Sequence, residues 1–222
     1  MGHFFSEDNP VFAVLGRLVD MIIVSVLWLA LCLPVITAGA SSSALYYAVT
    51  KSLRYRRGYI TKEFLHGFKS CFRQSTLLWL IYAGLMLLTL LDIRVMQLSQ
   101  GHAAGFLQML FGVIMLCLTI WMTYALAYIA RFTLPLRGVI RNAGLMSIRH
   151  LPSSLLILLV TLGASAVLYM MPFLMIILPA AAALLDSIIL ERVFLLYMTD
   201  EDRKAEDMRN HPEQYEYVNR NE

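Results

Sequence analysis

The sequence predicts an all-α, multi-pass transmembrane helical bundle, five to six spans with two cytoplasmic amphipathic elbow helices. Four observations lead there. Apolar residues make up 59% of the 222 and charged residues only 15%, whereas soluble domains run at about 45–50% and about 25%. The mean hydropathy of +0.67 is hard to reconcile with a surface that faces water throughout. The charges also cluster, leaving nearly uncharged stretches close to the roughly 20 residues that cross a bilayer. Finally, the basic residues concentrate in two connecting segments and avoid the others.

Five apolar stretches stand out, at residues 18–36, 76–91, 106–128, 151–171 and 172–190. A sixth, 38–53, is short and rich in Ala and Ser, with Lys51 as its first charge. A long basic side chain at a helix end can snorkel to the headgroups, which lets a short helix span. Orientation follows the excess of Lys and Arg in short cytoplasmic loops. Between Lys51 and Arg73 lie seven bases, Lys51, Arg54, Arg56, Arg57, Lys62, Lys69 and Arg73, against Glu63 alone. Between Arg131 and Arg149 lie Arg131, Arg137, Arg141 and Arg149 with no acid. The connection between these two segments holds only Asp92 and Arg94, and the turn at Met171 and Pro172 holds no charge. Both basic segments and the C-terminus are therefore expected in the cytoplasm. If 38–53 spans, there are six helices and a cytoplasmic N-terminus; if it lies on the surface, there are five and the N-terminus is outside.

The stretch "LPVITAGASSSALYY" (33–47) reads in two ways. Ala38 and Ala40 form an A-x-A pattern like a signal-peptide cleavage site. A signal peptide, however, needs a positive n-region and an apolar core of about 7–15 residues. Here Glu7, Asp8 and Asp20 oppose Arg17 alone, and the apolar run is longer. A retained break is expected instead, with Pro34 ending one helix and Gly39 opening the next. Thr37 can bond backbone groups freed by Pro34. Gly39 with Ser43, and Ala40 with Ala44, make a small-residue face that lets helices approach closely. Ala180 to Ala183 offers a second such face. Either serves folding within the chain or contact with another membrane subunit.

Two basic stretches read as amphipathic elbows. In "YITKEFLHGFKSCFR" (59–73), Ile60, Phe64, Phe68 and Phe72 recur every four residues, with Lys62, Lys69 and Arg73 off that stripe. In "LRGVIRNAGLMSIRH" (136–150), Leu136, Val139, Ile140, Ala143 and Ser147 share a side, with Arg137 and Arg141 on another. Gly67-x-x-Ser70 and Gly144-x-x-Ser147 precede the following spans in parallel fashion, a weak sign of internal repetition. Arg54, Arg56, Arg57, Lys62, Lys69, Arg73, Arg137, Arg141 and Arg149 are the candidate contacts to anionic headgroups, worth about 1 kcal/mol per base near such a surface. Docking of a cytoplasmic partner is the alternative use.

Catalytic signatures are missing. The chain contains no Walker loop, G-x-G-x-x-G, H-E-x-x-H or G-x-S-x-G. Its five histidines, His3, His66, His102, His150 and His211, have no ligand spacing. Cys32, Cys71 and Cys117 are odd in number and far apart, and read as reduced core residues. No enzyme, cofactor, metal site or nucleic-acid partner is expected. Ionisable groups inside spans are functional candidates because they are costly there. Asp186, in "AAAALLDSIILERVF", is the principal one, with Glu191 and Arg192 about a turn further on. Residues 1–199 read as a single helical membrane domain. Residues 200–222, with eight acids against four bases, read as an acidic cytoplasmic tail.

"EDNPVF", "LGRLVDMIIVSVLWLALCLPVITAGASSSALYY", "GYITKEFLHGFKSCFRQSTLLWL" and "LERVFLLY" together resemble the YesL family of bacterial integral membrane proteins, over roughly residues 4–198. The run Leu33 to Ala40 is the most specific part. Ser25 and Val26 stand where the family carries an asparagine ahead of the Leu27-Trp28 pair. The resemblance implies a bacterial plasma-membrane protein of unknown biochemical function. It also implies genes beside importers and sensors for plant-derived oligosaccharides, and it carries over no catalytic residue. The expected partners are the lipid bilayer and the subunits of a sugar ABC importer. The expected role is a non-enzymatic accessory or interaction subunit in oligosaccharide uptake; the alternative is an independent small-solute transporter or channel. A reporter fused near Arg141 should be active only on the cytoplasmic side, and activity outside would overturn this topology.

Overall fold

The computed structural model describes residues 10–55, 58–98, 102–132 and 134–198, and every regular element among them is helical. Arg56, Arg57 and the acidic tail lie outside the described residues. The α-helices are α1 (Pro10–Cys32), α2 (Ala38–Ala48), α3 (Ile60–Leu98), α4 (His102–Arg131), α5 (Leu136–Arg149), α6 (Leu151–Met170) and α7 (Leu178–Leu195). Four segments are long and apolar enough to cross a membrane: Val14–Cys32, Ile60–Leu98, Gly105–Arg131 and Leu151–Met170. The whole is a helical membrane bundle.

Local chemistry sets the breaks. α1 stops just short of Pro34, whose ring disfavours helical backbone in the residue before it. Pro34 itself is extended, at φ −77° and ψ 107°. A single 3₁₀ turn, Val35–Thr37, then closes through the bond from Thr37 N–H to the Pro34 carbonyl at 2.9 Å. The Thr37 hydroxyl lies 2.5 Å from the Leu31 carbonyl and 2.8 Å from that of Pro34, so it serves the carbonyls freed by the break. α2 widens into a π-helix, Val49–Arg54, closed by Tyr55 N–H on the Thr50 carbonyl at 3.1 Å. Gly58 then takes φ +70°, a left-handed conformation open to glycine, and turns the chain into α3.

The sixth apolar stretch does not lie on the surface. α2 and its π extension pass through the centre of the bundle, against α1, α3, α4 and α7. Gly39, Ala40, Ser41, Ser43, Ala44, Leu45, Tyr46 and Ala48 are all buried. Small side chains make this possible. A Cβ on Gly39 would come within 2.6 Å of the Ser75 carbonyl oxygen and collide with Trp79. The small face is thus consumed within the chain. Ala180 of the second face is fully buried as well.

Two expected boundaries are corrected. The stretch 59–73 is helical but runs unbroken into the next span as one 39-residue helix, because nothing in it interrupts the backbone ladder. At a rise of 1.5 Å per residue α3 is about 58 Å long, roughly twice a 30 Å hydrocarbon core. The aromatic stripe also fails to stay inside. Steps of four gain about 40° each on a helix of 3.6 residues per turn, so Ile60 and Phe64 are buried while Phe72 is 41% exposed. The face that is buried mixes steps of four and three: Ile60, Phe64, Gly67, Cys71, Ser75, Leu78. The second stretch does form a separate helix, α5, buried through Val139, Ala143 and Met146. The last expected span, 172–190, begins as a 3₁₀ segment, Pro172–Ile176; the helix proper starts at Leu178 and reaches Leu195.

Side-chain bonds set the register. α2 runs antiparallel to the first half of α3, with Ser43 against Ser75 at 2.8 Å and Lys51 against Glu63 at 2.8 Å. α4 returns along α3, with the Tyr82 and Thr119 hydroxyls 3.4 Å apart and Cys71 Sγ facing the Ile129 carbonyl at 3.8 Å. Gly39 thus sits level with Trp79, and α3 continues for about 28 Å past that level. There α3 and α4 have mainly each other. Beyond Leu78, Thr89 is the single buried residue of α3 among those described, and α4 has none before Met122. The result is a two-helix arm with apolar flanks, including Leu87 at 58% and Met109 at 72% exposure. Cys117 is exposed on this arm rather than in the core, unlike Cys71.

Replacing Gly39 by Val should destabilise the bundle by about 1–3 kcal/mol or more through overpacking. At Gly84 on the arm, an added Cβ would meet nothing within 4 Å, so Gly84→Val should stay within about 0.5 kcal/mol. Unfolding of both variants in detergent micelles checks this, and equal losses would refute it.

Candidate functional site

Polar groups converge on α7, which the sequence marks with two acids in an apolar helix. Glu191 is fully buried and pairs with Arg131 at the end of α4. The hydroxyls of Tyr46 and Tyr55 donate to the same carboxylate at 3.4 and 3.3 Å. The rings of Phe132 and Phe194 flank the Arg131 guanidinium, with centroids 5.7 and 5.9 Å away. One turn up α7, the Ser187 carbonyl accepts from Arg54. This cluster ties together α2, the turn after it, α4 and α7. A buried carboxylate is tolerated when paired and hydrogen-bonded, and is severely destabilising when one partner is removed.

Arg54 therefore points inward, whereas it was expected among the outward bases. Lys62, Lys69, Arg73, Arg137, Arg141 and Arg149 are exposed. On α5 they share the outer face with Leu145 at 57% and Ile148 at 73% exposure. Bases mixed with exposed apolar side chains are the pattern of a helix lying in an interface. Arg149 also stacks on Tyr197, whose hydroxyl is 2.9 Å from His150 Nε2. The two Gly-x-x-Ser motifs share a local bond: Ser70 donates to the Gly67 carbonyl at 3.1 Å, and Ser147 to that of Gly144 at 2.9 Å.

The broken-turn residues come together around α2. Trp79 N–H donates to the Val35 carbonyl at 2.7 Å, Ser41 donates to the Trp28 carbonyl at 3.0 Å, and Trp28 N–H donates to Ser42 at 3.2 Å. Ser43 also reaches the Leu126 carbonyl at 3.2 Å. Ser25, fully buried on α1, accepts the Ala180 backbone N–H at 3.2 Å and so caps the first turn of α7. Sequence reasoning missed this role. Its available signal was a polar residue at the position where the resembling family carries asparagine.

Asp186 lies on α7 about one and a half turns before Glu191 and joins a different environment. One of its carboxylate oxygens is buried without a hydrogen-bond partner. It lines a cavity of about 310 Å³ between α1, α2, α4, α6 and α7. Among the described residues, no group of three or more His, Cys, Asp or Glu side chains is arranged to hold a metal ion.

The fold and its polar interior define a multi-pass helical membrane protein stitched by buried hydroxyl and ion-pair bonds. Residues 21–93, from the middle of α1 into the arm, match the model of a family described as "Protein of unknown function, DUF624". No curated protein and no solved structure matches the chain.

Glu191→Leu should cost about 3–5 kcal/mol by removing the carboxylate that pairs with Arg131 and accepts from two tyrosines. The double replacement with Arg131→Met should recover a large part of that loss. Denaturation of the set in micelles reads the coupling, and strictly additive losses would show that the pair is not a unit.

Proposed function

We propose that this chain is a non-enzymatic accessory subunit of a membrane assembly, linked to oligosaccharide uptake through an ABC-type importer. The observation that carries the reading is the α3–α4 arm. Its flanks are apolar over about 28 Å of helix and are left uncovered by the other described residues, with open space at Gly84, Gly105 and Gly112. Gly105 and Gly112 lie two turns apart on one face of α4, where bare backbone allows another membrane helix to come close. The exposed bases lie off the arm, Lys62, Lys69 and Arg73 on the first half of α3 and Arg137, Arg141 and Arg149 on α5, as contacts for anionic headgroups on the cytoplasmic side of a bacterial plasma membrane. Resemblance to the YesL family, and the genomic company that it implies, supplies the link to oligosaccharide importers.

A second reading, an independent transporter or channel for a small solute, is favoured by the cavity beside Asp186. Native pull-down decides between them. Solubilised from its own membranes in a mild detergent, the chain should co-purify with importer permease subunits. Gly105→Leu combined with Gly112→Leu should abolish that association while the chain stays folded. Recovery of the wild-type chain only as a free monomer would overturn the subunit reading.

A further inference from the structure

The cavity beside Asp186 has the chemistry of a binding site with a narrow choice of ligand. Its volume of about 310 Å³ sits at the low end of the roughly 300–1,000 Å³ typical of small-molecule sites. Most of the lining is aliphatic or aromatic, and of its hydroxyl and indole protons all but that of Ser42, which accepts from Trp28, point elsewhere. Thr123, Thr161 and Ser165 each donate to the carbonyl one turn back, at 3.0, 2.9 and 2.7 Å. Trp28 N–H is taken by Ser42, and the Tyr46 hydroxyl by Glu191. What faces the space is a set of oxygen lone pairs together with the unpartnered carboxylate oxygen of Asp186.

We infer that this cavity binds a small organic cation, a primary ammonium on a compact apolar body. A carboxyl buried in apolar surroundings is costly to ionise unless it gains a counter-charge and hydrogen-bond donors, and an ammonium supplies both in one group. Its three N–H bonds match the Asp186 oxygen and the neighbouring hydroxyl lone pairs. Anions and zwitterions are rejected by the same lining, because a carboxylate or phosphate entering the cavity would meet almost no free donor. A neutral alcohol of the same shape satisfies the apolar walls but leaves the charge unanswered. This assignment is independent of the subunit reading, and a positive result is compatible with either role for the whole chain.

The test uses the full-length protein in detergent micelles with phenethylammonium as probe. 2-Phenylethanol is the neutral match and 3-phenylpropanoate the anionic control. Calorimetric titration should show saturable binding of the ammonium, weaker binding of the alcohol by roughly ten- to a hundredfold, and none of the anion. Asp186→Asn should reduce the ammonium to the level of the alcohol without lowering the unfolding midpoint, since it removes a lone buried carboxylate. Ala183→Phe should fill the cavity and remove binding of both while leaving Asp186 in place. Equal affinity for ammonium and alcohol would mean an apolar void only and would overturn the assignment. So would full ammonium affinity in Asp186→Asn, or no saturable ammonium binding by the wild type. If the Asn variant fails to fold, the comparison of the three probes on the wild type decides the matter alone.

Discussion

A helix can occupy the middle of this bundle only if its neighbours come almost to its backbone, and α2 meets that condition with glycine, alanine and serine. Gly39 admits Trp79 and the Ser75 carbonyl, while Ala40, Ala44 and Ala48 are completely buried. Close approach brings a second requirement, because each hydroxyl and carbonyl drawn inside must find a partner there. Ser41, Ser42 and Ser43 meet it by bonding α1, α3 and α4 from three consecutive positions. The order of α1, α3, α4 and α7 around the centre follows from what α2 permits.

The parts of this arrangement that were readable in advance are those with local causes. Pro34 and Thr37 act through groups a few residues away, so the break and its hydroxyl bond could be anticipated from the string "LPVIT". The long apolar helices were equally plain from their hydropathy. The interior pairings were not, because they join residues far apart in the chain: Arg131 finds Glu191, Tyr46 finds Glu191 and Ser25 finds Ala180. Arg54 illustrates the limit well. Its position among six other bases argued for an outward role, yet its guanidinium turns in to the Ser187 carbonyl. Charge density identifies a basic end and does not say which member of it faces inward. The four-residue stripe failed for a different reason, since a true helical face must mix threes with its fours to average 3.6.

The two acids of α7 show how differently one helix can treat the same functional group. Glu191 is enclosed by an arginine and two tyrosines, and its polar capacity is used. Asp186 meets a cavity instead, one oxygen without a partner. The first is what a fold needs to hold two helix ends together. The second is what a fold retains when something else completes it.

The unbroken course of α3 has a mechanical consequence. Trp79, held by Val35 and Gly39, divides the helix into two halves of 19 residues, each about 28 Å at the helical rise. The first limb is clasped along its length by α2 and α4, at Glu63, Cys71 and Ser75, while the second has mainly α4. The helix is therefore a cantilever, and a sideways load on its far tip, from a lipid or a neighbouring protein, is delivered to the bundle where Trp79 meets α2.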